Sequence, residues 1–189
     1  MQLILVRHAK AFERDHARWP DDSRRPLTEE GVRAFRVVAK RLGEVVQAVD
    51  RVETSSFERA RATAEILHED AGWPRPERAE RLEPTGETEN QAALSAERMQ
   101  SLLRSVVAMR ALPSVAWVGH EPMLSAVASL FLAGKPDALR IDLRIDLRKG
   151  AALAIEFDEL TSEPTSCVGR GRLLWMVTPK VVKRIRGKS

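Results

Sequence analysis

Apolar residues recur along this chain in two rhythms that alternate. Residues 3–6, Leu-Ile-Leu-Val, are continuously apolar, which predicts a strand buried on both faces. After a polar stretch from about residue 9 to 26, Val32, Phe35, Val38, Leu42, Val45 and Val49 keep a period near 3.6 and predict a helix. Thr28 suits its N-cap, and Glu29 and Glu30 suit its first turn. Residues 51–55 predict a short strand. Ala60, Thr63, Ala64, Leu67 and Ala71 mark a second helix, stopped by Gly72 and Pro74. Residues 75–93 read as irregular, with Pro76, Pro84 and Gly86 as breakers. Met99, Leu102, Leu103, Val106 and Val107 predict a third helix, ended before Pro113. Residues 115–119 predict another strand. A fourth helix follows, with Pro122 at its first position and Gly134 at its end.

The last third changes rhythm. Ile141, Leu143, Ile145 and Leu147 alternate with charges, so residues 140–147 predict a strand with one wet face. Residues 151–157 and 173–178 predict two more, with a turn at 169–171. This order of elements predicts an α/β fold of three layers: a mostly parallel central sheet flanked by helices, with additional C-terminal strands. No linker divides the chain, so residues 1–179 are expected to form a single domain.

Composition narrows the class. The chain has 189 residues, 43% hydrophobic and 31% charged, which excludes wholesale disorder. Its one cysteine, Cys167, cannot form an internal disulfide, so nothing implies an oxidising compartment. No apolar run approaches the ~20 residues of a membrane span, and a cytoplasmic protein without membrane contact is expected. The formal charge of +4 comes from the end of the chain: residues 180–189 hold Lys180, Lys183, Arg184, Arg186 and Lys188 and no acid. The remainder is close to neutral. A basic tail can bind nucleic acid or an acidic partner, but its commoner state is a solvated terminus, and nucleic acid is not expected.

Three predicted strand ends carry the chemistry. The first ends in Arg7-His8. The second ends in Ser55-Ser56 and leads to Arg59 in the first turn of a helix. The third ends in His120, just before the helix near Pro122. Ligands of open α/β sheets bind beyond the carboxyl ends of the strands. If these strands are parallel neighbours, Arg7, His8, Arg59 and His120 converge. That set suits a phosphoryl group, because guanidiniums donate in pairs to its oxygens and helix N-termini add unpaired N–H groups. An imidazole can act as the nucleophile. Any one of the four alone reads as structural or solvated; the case rests on the set.

Here the sequence resembles the histidine phosphatase superfamily, whose fold is phosphoglycerate mutase-like. The family's strand and Arg-His-Gly are similar to residues 3–9, ending Arg7-His8-Ala9. Its Arg-Pro-Leu-Thr and following Gly are similar to Arg25-Pro26-Leu27-Thr28 and Gly31. Its Ser-x-x-x-Arg-Ala-x-x-Thr-Ala is matched from Ser55 through Arg59-Ala60 to Thr63-Ala64, and its second His motif by Gly119-His120-Glu121-Pro122. The short length resembles the SixA-type phosphohistidine phosphatases. The resemblance implies His8 as nucleophile, with Arg7, Arg59 and His120 holding the phosphate. Water would then release inorganic phosphate. No metal or organic cofactor is implied.

The departures are informative. Ala9 stands where the family more often has Gly, which is acceptable if its φ is negative. Many relatives place a general acid two residues after a Leu; here Leu82 is followed by Glu83 and then Pro84. Glu83 and Glu87 are the remaining candidates. A phosphoramidate leaving group needs such an acid less than a phosphomonoester does. The substrate is therefore expected to be a phosphohistidine-bearing protein, such as a phosphotransfer protein. The alternatives are a small phosphomonoester, or a non-catalytic phosphate-binding module with a nucleic-acid-contacting tail. Glu121 reads as helix-dipole compensation, His68 as surface, and the 9–26 loop, with Asp15, His16 and Trp19, as a lid or a mobile segment. No Cys/His cluster suits zinc and no Gly-rich phosphate loop is present.

Overall fold

The computed structural model describes residues 1–46, 48–84, 95–134 and 147–186. Among them, β1 (Gln2–Arg7), β2 (Arg51–Thr54), β3 (Glu77–Arg78), β4 (Ser114–Gly119), β5 (Ala152–Glu156) and β6 (Arg172–Val177) form a single sheet. Its order is β3-β2-β4-β1-β5-β6. The first four of these positions run parallel; β5 is antiparallel to β1, and β6 to β5. The helices are α1 (Glu29–Val45), α2 (Glu58–Ala71), α3 (Ala96–Ala108), α4 (Met123–Ala133) and α5 (Pro179–Arg186).

The strand pleat divides the core into two halves. Leu3 and Leu5 join Val115, Trp117, Leu153 and Ile155 beneath α3 and α4. Ile4 and Val6 join Ala116, Val118, Ala152 and Ala154 beneath α1 and α2. Helices cover both faces, which is why β1 reads as an unbroken apolar run rather than an alternating one. In α1 the inward stripe is Phe35, Val38, Ala39 and Leu42, while Val45 is exposed. Thr28 caps the helix, its hydroxyl accepting from Gly31 N at 3.0 Å. Gly31 lies against the chain just after β1, where an added Cβ would stand 2.0 Å from the Lys10 carbonyl oxygen.

The structure departs from the sequence reading at several places. Residues 77–78, within the segment read as irregular, form the edge strand β3, and a 3-10 turn follows at Glu80–Leu82. Two residues are too few to show a period. Pro122 occupies the N-cap of α4 rather than its first helical position. The connection between β5 and β6 holds a 3-10 turn, Pro164–Cys167, ahead of the turn at Gly169. The alternating strand at 140–147 lies outside the described residues except for Leu147, which is buried. The basic end of the chain is helical in α5. Val182 is buried in the same core half as α1, while Lys180, Lys183 and Arg184 are exposed.

Candidate active site

The sheet order brings the three strand ends side by side. β2, β4 and β1 are adjacent and parallel, with Arg7 opposite Gly119 and Thr54 opposite Val118. His8 N donates to Gly119 O at 3.0 Å, and Ser55 N to Val118 O at 3.1 Å. The rings of His8 and His120 stand 5.1 Å apart between centroids. Ala9, like every other described non-glycine residue, has a negative φ, so it takes the glycine position without backbone strain. The positive φ falls at Gly150, at 77°, whose N–H reaches the carbonyls of Arg7 and His8 and closes the back of the site.

His8 is buried and tied down at one nitrogen. Its Nδ1 lies 2.7 Å from the Ala9 carbonyl oxygen, which can only accept, so Nδ1 carries the proton and Nε2 keeps its lone pair. Burial lowers its pKa from 6.5 to about 3, opposed by the Ala9 bond and assisted by the charges of Arg59, Arg7 and Arg25. It is thus a neutral imidazole across the neutral range.

His120 is held by the residue that ends β2. Its Nε2 lies 2.9 Å from the Ser55 hydroxyl, which also accepts from Phe57 N at 3.2 Å. A Ser55 hydroxyl that accepts from Phe57 and donates to Nε2 satisfies every group present and leaves the proton on Nδ1. That Nδ1 is buried and has no partner, which makes it a donor available to an incoming oxygen. Burial, then His8 and the nearby arginines, push its pKa well below the usual value. The Phe57 ring packs edge-on against His120 and under the Arg59 guanidinium.

Arg59 enters from the first turn of α2 and is almost wholly buried. It donates from one terminal nitrogen to Asp22 O at 2.8 Å and from the other to Asp22 Oδ2 at 3.0 Å, while its Nε is buried without a partner. Burial lowers its pKa to about 10, countered by Asp22, so it remains charged. Arg25 grips the same carboxylate, Nε to Oδ1 at 2.7 Å, and donates to Phe12 O at 2.5 Å. Burial would raise the Asp22 pKa, but Arg25, Arg59 and Arg14 outweigh it and the net shift is downward. Arg7 donates to Leu147 O at 3.0 Å, with its Nε buried and unpartnered.

The structure therefore brings together all four residues singled out at the strand ends. It adds Arg25, Asp22 and Ser55, which carried no assigned role. Arg25 and Ser55 both stand in motifs that the sequence shows, without a role attached to either. Asp22 is a loop acid with no sequence signal. Glu83 sits beside β2 and accepts from the Ser56 hydroxyl at 2.5 Å and from Arg78. Glu87 lies outside the described residues. In the 9–26 loop, Trp19 packs on Phe12 and Arg18 stacks on both, while His16 is exposed. His68 donates to Trp73 O at 2.7 Å. Among the described residues no group of three or more His, Cys, Asp or Glu could hold a metal, and no helix is long and apolar enough to cross a membrane.

A buried cluster of cations around a neutral imidazole with a free lone pair is built to hold a tetrahedral dianion against a nucleophile. The chain is also similar to known proteins. The description of the histidine phosphatase superfamily (branch 1) matches residues 3–85. An uncharacterized protein of Picosynechococcus sp. is 31% identical over 158 residues, covering 80% of this chain and 87% of that one. Among solved structures, the protein histidine phosphatase SixA complexed with tungstate matches with a TM-score of 0.71 at 22% identity, covering 96% of this chain and 99% of that one. A mycobacterial glucosyl-3-phosphoglycerate phosphatase complexed with VO3 matches with a TM-score of 0.62 at 18% identity, covering 92% and 98%. At these identities the two structures establish the fold.

Proposed function

This chain belongs to the histidine phosphatase superfamily and is a phosphatase, and we propose that the bond it breaks is the phosphorus–nitrogen bond of a protein phosphohistidine. One observation carries the substrate choice. Two acids beside the site are not set up as proton donors: Asp22 is held ionised between Arg25 and Arg59, and Glu83 is engaged by Ser56 and Arg78. A phosphomonoester leaving as alkoxide gains much from an acid on its oxygen. A phosphorylated imidazole takes its proton from water on the ring nitrogen away from phosphorus, and then leaves as neutral imidazole.

In this reading His8 Nε2 attacks phosphorus as the bond to the substrate imidazole breaks. The electron pair departs with that ring. Arg7, Arg59, Arg25 and the Nδ1–H of His120 hold the three equatorial oxygens. Water then attacks the phosphorylated His8, the new phosphorus–nitrogen bond breaks, and inorganic phosphate leaves. The likeness to a protein histidine phosphatase supports this substrate. The likeness to a sugar-phosphate phosphatase supports the rival, a small phosphomonoester, for which Glu83 would have to leave Ser56 and protonate the leaving oxygen. The single cysteine, a buried free thiol, supports a cytoplasmic setting.

The test compares a phosphohistidine peptide with sugar phosphates on the purified protein. The peptide should turn over faster, and a rapid quench without acid should trap phosphate on His8. Turnover of the sugar phosphates alone, or label on another residue, would overturn the proposal.

A further inference from the structure

A cleft of about 410 Å3 opens beside the site, between the N-terminal end of α1, the turn at Gly150 and the start of α5. Its apolar lining is Ala9, Ala34 and Phe35, of which Ala9 and Phe35 are buried. Its lining carries Arg7, Lys10, Arg148 and Lys149 with Glu30, and Glu13 pairs with Lys149 from outside it. Arg7 belongs to both places, since it precedes His8 and lines the cleft. Arg7 and Ala9, the residues on either side of His8, both line the cleft.

We infer that the cleft receives an acidic stretch of the substrate chain beside its phosphohistidine, an inference that rests on the reading of the substrate as a protein. The lining lysines already bind carboxylates. Lys10 Nζ pairs with Glu30 at 2.6 Å, and Lys149 Nζ with Glu13 at 3.6 Å. These pairs are well exposed, so a partner's Asp or Glu can exchange with them at little cost. The helix α5 extends the same charge, since Pro179 lines the cleft and the Lys183 charge acts on Glu30. The volume exceeds the needs of a lone anion and lies in the range of sites that enclose a larger ligand. A nucleic acid strand fits less well. Single strands stack on exposed aromatic rings, and the ring of this cleft, Phe35, is only 1% exposed.

The experiment uses two phosphohistidine peptides that differ only in flanking Asp and Glu against Asn and Gln. The acidic peptide should show kcat/KM higher by about three- to tenfold at low salt, as a few exposed charge pairs allow. The preference should fade as salt shortens the screening length. In the Lys10→Gln/Lys149→Gln variant it should fall below about twofold, while turnover of an aryl phosphate stays unchanged. Equal rates on both peptides in the wild type, or a preference that survives the double substitution, would overturn the cleft and leave the phosphohistidine reading standing. So would a single-stranded oligonucleotide that abolishes the preference as well as an acidic peptide does. If neither phosphohistidine peptide is hydrolysed while the aryl phosphate is, the substrate reading fails and takes the cleft with it.

Discussion

The hydroxyl of Ser55 decides which nitrogen of His120 carries a proton, and so whether the site offers a donor or a lone pair to phosphate oxygen. Ser55→Ala removes the partner of Nε2, and the proton is then free to sit on either nitrogen. We expect kcat for an aryl phosphate to fall by about tenfold, less than the 10²–10³ lost when a donor is removed outright. KM should change little, the pH profile of kcat should shift, and Ser55→Thr should restore most of the rate. An unchanged kcat and pH profile in Ser55→Ala would remove Ser55 from the site's working parts. At this scale the sequence was most legible where a residue type and a strand end coincided. Arg59 and Arg61 are two positions apart, yet Arg59 is buried on Asp22 while Arg61 is exposed and pairs with Glu58. The helical period separates them. Asp22 had no such signal, because its role depends on a loop folding back 37 residues along the chain to reach Arg59.

The elements that position these residues depend on a few close approaches that a linear pattern only partly reveals. At α1 the helix is pressed against the chain leaving β1, and Thr28 N donates to the same Lys10 carbonyl that crowds Gly31. Gly31→Ala would gain roughly 1 kcal/mol of helix propensity. The new methyl, 2.0 Å from a backbone oxygen, forces that backbone to move, at a cost at the upper end of about 1–3 kcal/mol or beyond. The cost wins, so the urea midpoint should fall. A rise would mean that the loop yields easily. The motif residues Thr28 and Gly31 were legible as a cap and a glycine, but the reason for the glycine lies in a tertiary contact. The edge strand β3 was not legible, since it is defined by pairing with β2 and not by its own side chains. The charges of α5 read as a solvated end because four of its eight residues are basic. Val182, buried in the α1 half of the core, is an inward contact that its sequence barely signals.

Two neutral histidines inside a ring of arginines make the whole molecule sensitive to acid. His8 has its pKa lowered from 6.5 to about 3, chiefly by burial, and that of His120 is lowered too. Between these limits the unfolded chain binds protons that the folded chain refuses. Stability therefore rises with pH across this window and falls as pH drops below the unfolded value of 6.5. For His8 alone the loss reaches roughly 3 kcal/mol by pH 4.5, at about 1.4 kcal/mol per unit. In a chain of this size that is roughly 5–10 °C in Tm. The Asp22 carboxyl works in a different window. Its lowered pKa contributes stability above the unfolded value of 3.8, which is lost only at more acid pH. His8→Asn keeps a donor for the Ala9 carbonyl but removes one of the two titrations. Its Tm should therefore decline less steeply from pH 6.5 to 4.5 than that of the wild type. A phosphate dianion in the pocket should also flatten the wild-type decline, because it favours the protonated histidines. A wild-type Tm that stays level across this range, or a His8→Asn curve parallel to it, would show that His8 is not held neutral by its burial among the arginines.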